Sequence, residues 1–279
     1  MKNVLEAPFL VEFAKTAANM YRLGWDERNG GNISYLLKEE EVKEFLDVNH
    51  VIRKLPLAGV NSAAFDISPL IGKYFLVTGT GKYFKNVLDD PETNLGIIRI
   101  APDKTIDLLW GYKDGGRTTS EFPAHMMSHI ARLKVDPNNR VVMHCHPTNL
   151  LAMTYVHELD EAKFSHTLWE MSTECIVVFP EGVGVLPWML CGTDEIGIAT
   201  AEKMASFRIV LWSLHGVYAA GKDLDETFGL IETVEKAATI YNIIGQRKVV
   251  NTISEDAMKQ LIDLFKIRDV VRWDFFRNK

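Results

Sequence analysis

His144-Cys145-His146 is the triplet in this chain with the clearest chemical potential. In an extended segment, residues two apart point to the same face, so two imidazoles stand side by side with Cys145 on the opposite face. Two neutral imidazoles at that separation can share one metal ion. A catalytic zinc site commonly has three protein ligands and an open position, so one more ligand is required. His215, near a break in the apolar strand that carries Trp212-Ser213-Leu214-His215-Gly216-Val217, is the candidate, because a solitary imidazole there otherwise needs an explanation. The alternative is that His144 and His146 are simply hydrogen-bonded core or surface residues.

His125 and His129 are one helical turn apart, but position 126 is Met, where the zincin arrangement needs its Glu base, so the pair reads as an ordinary helix face. Glu121 follows Thr119-Ser120 at the start of a helix, where a carboxylate suits the helix dipole. Beside a metal ion it would instead be placed to move a proton on a substrate. Thr78-Gly79-Thr80-Gly81-Lys82 invites a nucleotide reading, yet Leu76 and Tyr83 break the P-loop pattern and Phe84 breaks the dinucleotide one. It remains a turn or a cradle for a single phosphate. No lysine stands out as a Schiff-base former.

The elements that must position these residues follow from periodicity. Apolar residues at Phe9, Leu10, Phe13, Ala17, Met20 and Leu23 predict a helix over 8–24, followed by the turn Arg28-Asn29-Gly30-Gly31-Asn32 and a strand over 33–37. Further strands are expected over 74–77, 95–100, 105–110, 140–146, 175–179, 209–214 and 216–220. Helices are expected from a Ser or Thr cap near 119–121, then over 149–157, 165–171, 193–206, 223–245 and 254–265. The stretch 38–68 gives no reading. The aromatic tail Arg272-Trp273-Asp274-Phe275-Phe276 is expected to dock, on a neighbouring subunit, rather than fray.

The chain has 279 residues, of which 47% are hydrophobic, enough for a sizeable core, and no linker-like stretch divides it, so one α/β domain over 1–279 is expected. Its net charge of −6 argues against a nucleic-acid partner and leaves a small molecule as the ligand class. Glu6 and Pro8 interrupt any signal-like run and no stretch is long and apolar enough for a membrane span, so a cytoplasmic protein is expected. Cys145, Cys175 and Cys191 form no disulfide framework and read as buried apolar residues in a reducing compartment.

Taken in order, Arg28-Asn29-Gly30-Gly31-Asn32, Thr78-Gly79-Thr80-Gly81-Lys82, Thr119-Ser120-Glu121, His144-Cys145-His146 and His215-Gly216 resemble the class II aldolase/adducin family. The stretches Gly24 to Asn32, Leu168-Trp169-Glu170, Ser172-Thr173-Glu174-Cys175 and Leu186-Pro187-Trp188-Met189 are similar to those of its deoxyketose-phosphate aldolases. Thr80 stands where the family pattern has Ser, with the hydroxyl kept.

The resemblance implies a sandwich with a central, mainly antiparallel sheet flanked by helices, and a phosphorylated ketose as substrate. It implies one Zn2+ per subunit on His144, His146 and His215, with Glu121 as the acid/base. It implies phosphate contacts from Asn29, Asn32, Thr80, Thr119 and Ser120. It further implies a homotetramer with active sites near subunit contacts, and Glu174 as a carboxylate donated across that contact to the aldehyde end. Fuculose-phosphate aldolases and ribulose-phosphate 4-epimerases share these motifs. The adducin head keeps the fold as a non-catalytic module, with no reason to retain three ligands and a carboxylate.

Overall fold

Alternation of apolar side chains along the strands generates a sheet buried on both faces. Ile33, Tyr35 and Leu37 enter one apolar cluster while Leu36 enters the other; Tyr74 and Leu76 oppose Phe75 and Val77 in the same way, as do Leu95 and Ile97 against Ile98 and Ile100. The structure is a computed structural model that describes residues 2–57 and 65–276. Its strands are β1 (Asn32–Leu37), β2 (Arg53–Leu55), β3 (Tyr74–Thr78), β4 (Leu95–Ile100), β5 (Ile106–Gly111), β6 (Val141–Cys145), β7 (Gly184–Leu186), β8 (Ile209–Trp212) and β9 (Gly216–Gly221). They form one sheet in the order β2-β5-β4-β3-β1-β6-β9-β8-β7. Every pairing is antiparallel except β7 with β8, so the mainly antiparallel α/β sandwich expected from the sequence is what the chain adopts.

The register places chemistry at the middle of this sheet. Asn32 of β1 lies opposite His144 of β6, which in turn lies opposite Tyr218 of β9. Helices cover the faces. Pro8–Arg22 buries Phe9, Leu10, Phe13, Ala17 and Met20 of the stripe its spacing predicts, whereas Leu23 lies at the helix end and is exposed; Pro8 sits in the first turn, where a missing N–H costs nothing. Phe122–Val135 and Asp194–Met204 pack against each other, and Leu224–Ile244 packs on Thr148–Val156 and Glu161–Met171.

Four local expectations need correction. The segment 175–179 is not a strand but part of the helix Thr173–Val178, packed on Glu161–Met171 and Glu255–Phe265. A four-residue apolar run is ambiguous by periodicity, and tertiary packing decides it here. His215 is not in a strand: β8 ends at Trp212, and Ser213-Leu214-His215 form the turn to β9, with Leu214 at φ 64°. The helix after Ser120 has no Ser or Thr cap. Glu121 occupies that position without a side-chain cap bond, and Pro123 sits in the first turn.

The tail docks on its own chain, the fourth correction. Phe275 is buried, the Phe276 ring stacks on Trp169, and the Arg272 N–H donates to the Pro180 carbonyl. Within 38–68, the structure shows a short helix Glu39–Lys43, the edge strand β2 and a 3-10 turn Ser68–Leu70, while 58–64 lie outside the described residues.

Candidate active site

β6 carries His144 inside the sheet and ends one residue before His146, where Pro147 stops it. The His146 N–H donates to the Trp25 carbonyl, tying the end of β6 to the turn after the first helix. That turn comes close: a Cβ at Gly30 would lie 2.9 Å from His146 Cε1, so the backbone's approach to the imidazole requires glycine there. The β8–β9 turn brings His215 from the other side.

His144, His146 and His215 each offer one ligand atom, and these atoms lie within 4.8 Å of one another. Two of the rings are oriented by fixed partners. His144 Nδ1–H donates to the Val217 carbonyl at 3.0 Å, and His146 Nδ1–H donates to the Glu27 carboxylate at 3.0 Å, which leaves both Nε2 atoms facing the cluster, 3.3 Å apart. Holding one ring nitrogen by a carbonyl or carboxylate fixes the tautomer that presents the other to a metal. Burial lowers the pKa of His144, and it lowers His215 to about 4, so both imidazoles are neutral near neutral pH. Three imidazoles converging on one point, two of them pinned by hydrogen bonds, fit a divalent metal of the zinc type with an open position.

Glu121 faces the same point. Its Oε2 is 3.6 Å from His144 Nε2, and it accepts hydrogen bonds from the Asn32 amide at 2.8 Å and the Tyr218 hydroxyl at 3.2 Å. Burial raises its pKa, outweighing those two bonds, which favour the ionised form. The Tyr218 ring stacks on His144 with centroids 4.6 Å apart and on Trp212 at 4.4 Å. His146, after β6, and His215, on the β8–β9 turn, open into a cleft of about 610 Å³ also lined by Glu27, Thr148, Trp188 and Cys191.

The segments expected to hold phosphate are brought together. Gly79 bridges Thr118, the Thr119 N–H donates to the Thr78 carbonyl at 2.9 Å, and the Thr80 N–H donates to Arg117 at 2.9 Å. Thr80 and Ser120 retain exposure and Asn29 is exposed, whereas Thr119 is buried, its hydroxyl accepting from the Glu121 N–H. Asn32 is buried with both ends of its amide engaged, by Glu121 and by His125. Lys82 is paired with Asp114.

Glu174 is exposed in the first turn of its helix, accepts from the Ser172 hydroxyl at 2.6 Å, and is not among the residues that line the cleft. Sequence reading gave no role to Glu27 or Tyr218. Glu27 lay inside a recognised motif, but Tyr218 carries no local signal at all. Cys145 and Cys175 are buried as expected, while Cys191 is exposed at the cleft.

The chain belongs to the class II aldolase and adducin N-terminal domain family, which it matches over residues 11–242. It is 59% identical over 268 residues to the rhamnulose-1-phosphate aldolase of Listeria monocytogenes serotype 4a (strain HCC23), covering 95% of this chain and 96% of that one. It is 57% identical over 267 residues to the rhamnulose-1-phosphate aldolase of Enterococcus faecalis (strain ATCC 700802 / V583), covering 95% and 94%. The crystal structure of a sugar-phosphate aldolase from Thermotoga maritima superposes with a TM-score of 0.72 at 29% identity, over 86% of this chain and 97% of that chain.

Proposed function

We propose that the protein catalyses the reversible retro-aldol cleavage of L-rhamnulose 1-phosphate to dihydroxyacetone phosphate and L-lactaldehyde, in rhamnose catabolism. The observation that carries this reading is the Glu121 carboxylate, 3.6 Å from a nitrogen of the three-histidine cluster, in a chain 59% identical to a rhamnulose-1-phosphate aldolase. His144, His146 and His215 hold zinc, one ion per subunit. When bound, the metal supplies a Lewis acid for the negative charge that develops on the sugar oxygens as the C3–C4 bond breaks.

The remaining steps belong to side chains of this chain. A base removes the proton of the C4 hydroxyl, the C3–C4 electron pair stays on C3, and lactaldehyde departs. Protonated Glu121 then delivers its proton to C3, and in the synthetic direction the carboxylate takes that proton back. A carboxyl whose pKa is raised by burial suits a group that must carry a proton near neutral pH. Glu174, exposed and outside the cleft of its own subunit, acts at the aldehyde end of a neighbouring site.

Asn29, Thr80, Thr119 and Ser120 hold the phosphate through hydroxyls, an amide and the adjoining backbone rather than through cations, since Lys82 is paired with Asp114. Asn32 stands at the edge of this set with its amide on Glu121. The exposed Trp188 and Leu190 at the mouth of the cleft favour a homotetramer whose contacts lie near the active sites. Among the described residues no helix is long and apolar enough to cross a membrane, and the three free cysteines suit the cytoplasm, where we place the enzyme.

Product analysis with L-rhamnulose 1-phosphate, L-fuculose 1-phosphate and ribulose 5-phosphate tests the assignment. Dihydroxyacetone phosphate release with the highest kcat/KM on the rhamnulose substrate is expected. Faster cleavage of the fuculose substrate, or epimerisation without aldehyde release, would reassign the protein within its family.

A further inference from the structure

Behind Glu121 and Asn32 lie three buried polar groups, His125, Ser34 and His129, with no part in the chemistry above. Asn32 Nδ2 donates to Glu121 Oε2 at 2.8 Å, and its Oδ1 meets His125 Nε2. His125 Nδ1 lies 2.8 Å from Ser34 Oγ, which lies 2.8 Å from His129 Nε2. His125, Ser34 and His129 are each at most 1% exposed and Asn32 is 6% exposed. Four side chains from one strand and one helix thus form a single line of hydrogen bonds that ends on the acid/base carboxylate.

The donor and acceptor roles along that line follow from chemistry. In the ionised form that takes up the C3 proton in the synthetic direction, the Glu121 carboxylate only accepts, so Asn32 turns its NH2 to Glu121 and its carbonyl to His125. His125 Nε2 must then carry the hydrogen. Burial holds both histidines neutral, so His125 Nδ1 accepts from the Ser34 hydroxyl, whose oxygen accepts in turn from His129 Nε2–H. One arrangement satisfies every link. Replacing His125 by an apolar group leaves Asn32 Oδ1 without its donor, so the amide is no longer pinned where its Nδ2 meets the carboxylate.

We infer that His125 is a positioning residue of the aldolase: acting through Asn32, with Ser34 and His129 behind it, it holds the Glu121 carboxylate in its proton-transfer orientation. The inference rests on the proposed acid/base role of Glu121. It also explains the helical pair His125 and His129 without metal ligation, since both rings face Ser34 rather than the three-histidine cluster.

Two variants one methylene apart test it. In His125→Gln the side-chain amide nitrogen falls near the position of Nε2 and still donates to Asn32; in His125→Asn it does not reach. With L-rhamnulose 1-phosphate and zinc-loaded enzyme, His125→Gln is expected to keep kcat within about threefold. His125→Asn is expected to lose on the order of tenfold or more in kcat, the usual cost of a small misplacement of a catalytic group, with KM and bound zinc unchanged.

Ser34→Ala, a one-atom deletion in the same line, repeats the test should both histidine variants fail to fold, and an intermediate fall in kcat alone is expected. Equal kcat in the Gln and Asn variants, or losses that appear in KM or zinc content instead, would overturn the inference. Glu121→Gln run alongside separates the two levels. Full activity in that variant removes Glu121 from the mechanism, whereas a slow Glu121→Gln with indistinguishable His125 variants removes only the role of His125.

Discussion

Each of His144 and His146 has one ring nitrogen committed to a fixed acceptor and the other facing the cluster, while Glu121 stands beside them under two hydrogen bonds. The metal ligands and the acid/base are therefore separable. Glu121→Gln keeps the side chain's size and leaves all three imidazoles in place, so bound zinc should stay at the wild-type level while kcat falls on the order of a hundredfold or more. Metal analysis and steady-state kinetics on the same preparation check this, and metal loss in parallel with activity would contradict it. Much of this was legible in the sequence, because the two-residue period of a strand places His144 and His146 on one face. Glu27 and Tyr218 were not legible in these roles, since their contacts bridge 119 and 97 residues of chain and only the sheet order brings them in.

Among the elements, the β8–β9 turn carries the greatest demand, because it must deliver His215 while β9 starts against β6 at once. A Cβ at Gly216 would lie 2.4 Å from the Cys145 carbonyl oxygen and 2.7 Å from His146 Cδ2. Gly216→Ala therefore has to displace backbone at the metal site, and a destabilisation of about 1–3 kcal/mol is expected, as for other overpacked positions. Thermal unfolding with and without zinc measures it. An unchanged Tm together with wild-type zinc affinity would show that the turn yields more easily than its geometry implies.

The strands on either side were readable from their apolar residues, yet the sequence placed His215 in a strand when it sits in a turn. The helix Thr173–Val178 was missed for a related reason: short apolar runs look alike until packing on Glu161–Met171 and Glu255–Phe265 distinguishes them.

The whole molecule buries an unusual set of titratable groups at its centre. Burial lowers His125 and His144, takes His215 to about 4 and takes His129 to about 3, while in the unfolded chain a histidine titrates near 6.5. The unfolded state then binds more protons than the folded one below that value. These four groups contribute stability that is fully present above about pH 6.5 and is lost as the pH falls towards 4 and 3. Asp26 and Glu121, raised by burial, act with the opposite sign but are fewer. The Tm of the zinc-free protein should therefore fall between pH 7 and pH 5, and a flat or rising Tm over that interval would contradict the assignment of neutral buried imidazoles.

At the same scale, the family, the sheet and its antiparallel character were within reach of the motifs, whereas the docking of the tail on its own chain depended on the pocket around Trp169, which forms only in the assembled fold. The most direct measurement of the whole reading is dihydroxyacetone phosphate release from L-rhamnulose 1-phosphate by the purified protein, before chelation, after chelation and after zinc is returned. Release that disappears with the chelator and recovers with zinc is expected; release indifferent to the chelator, or none from the zinc-loaded protein, would contradict it.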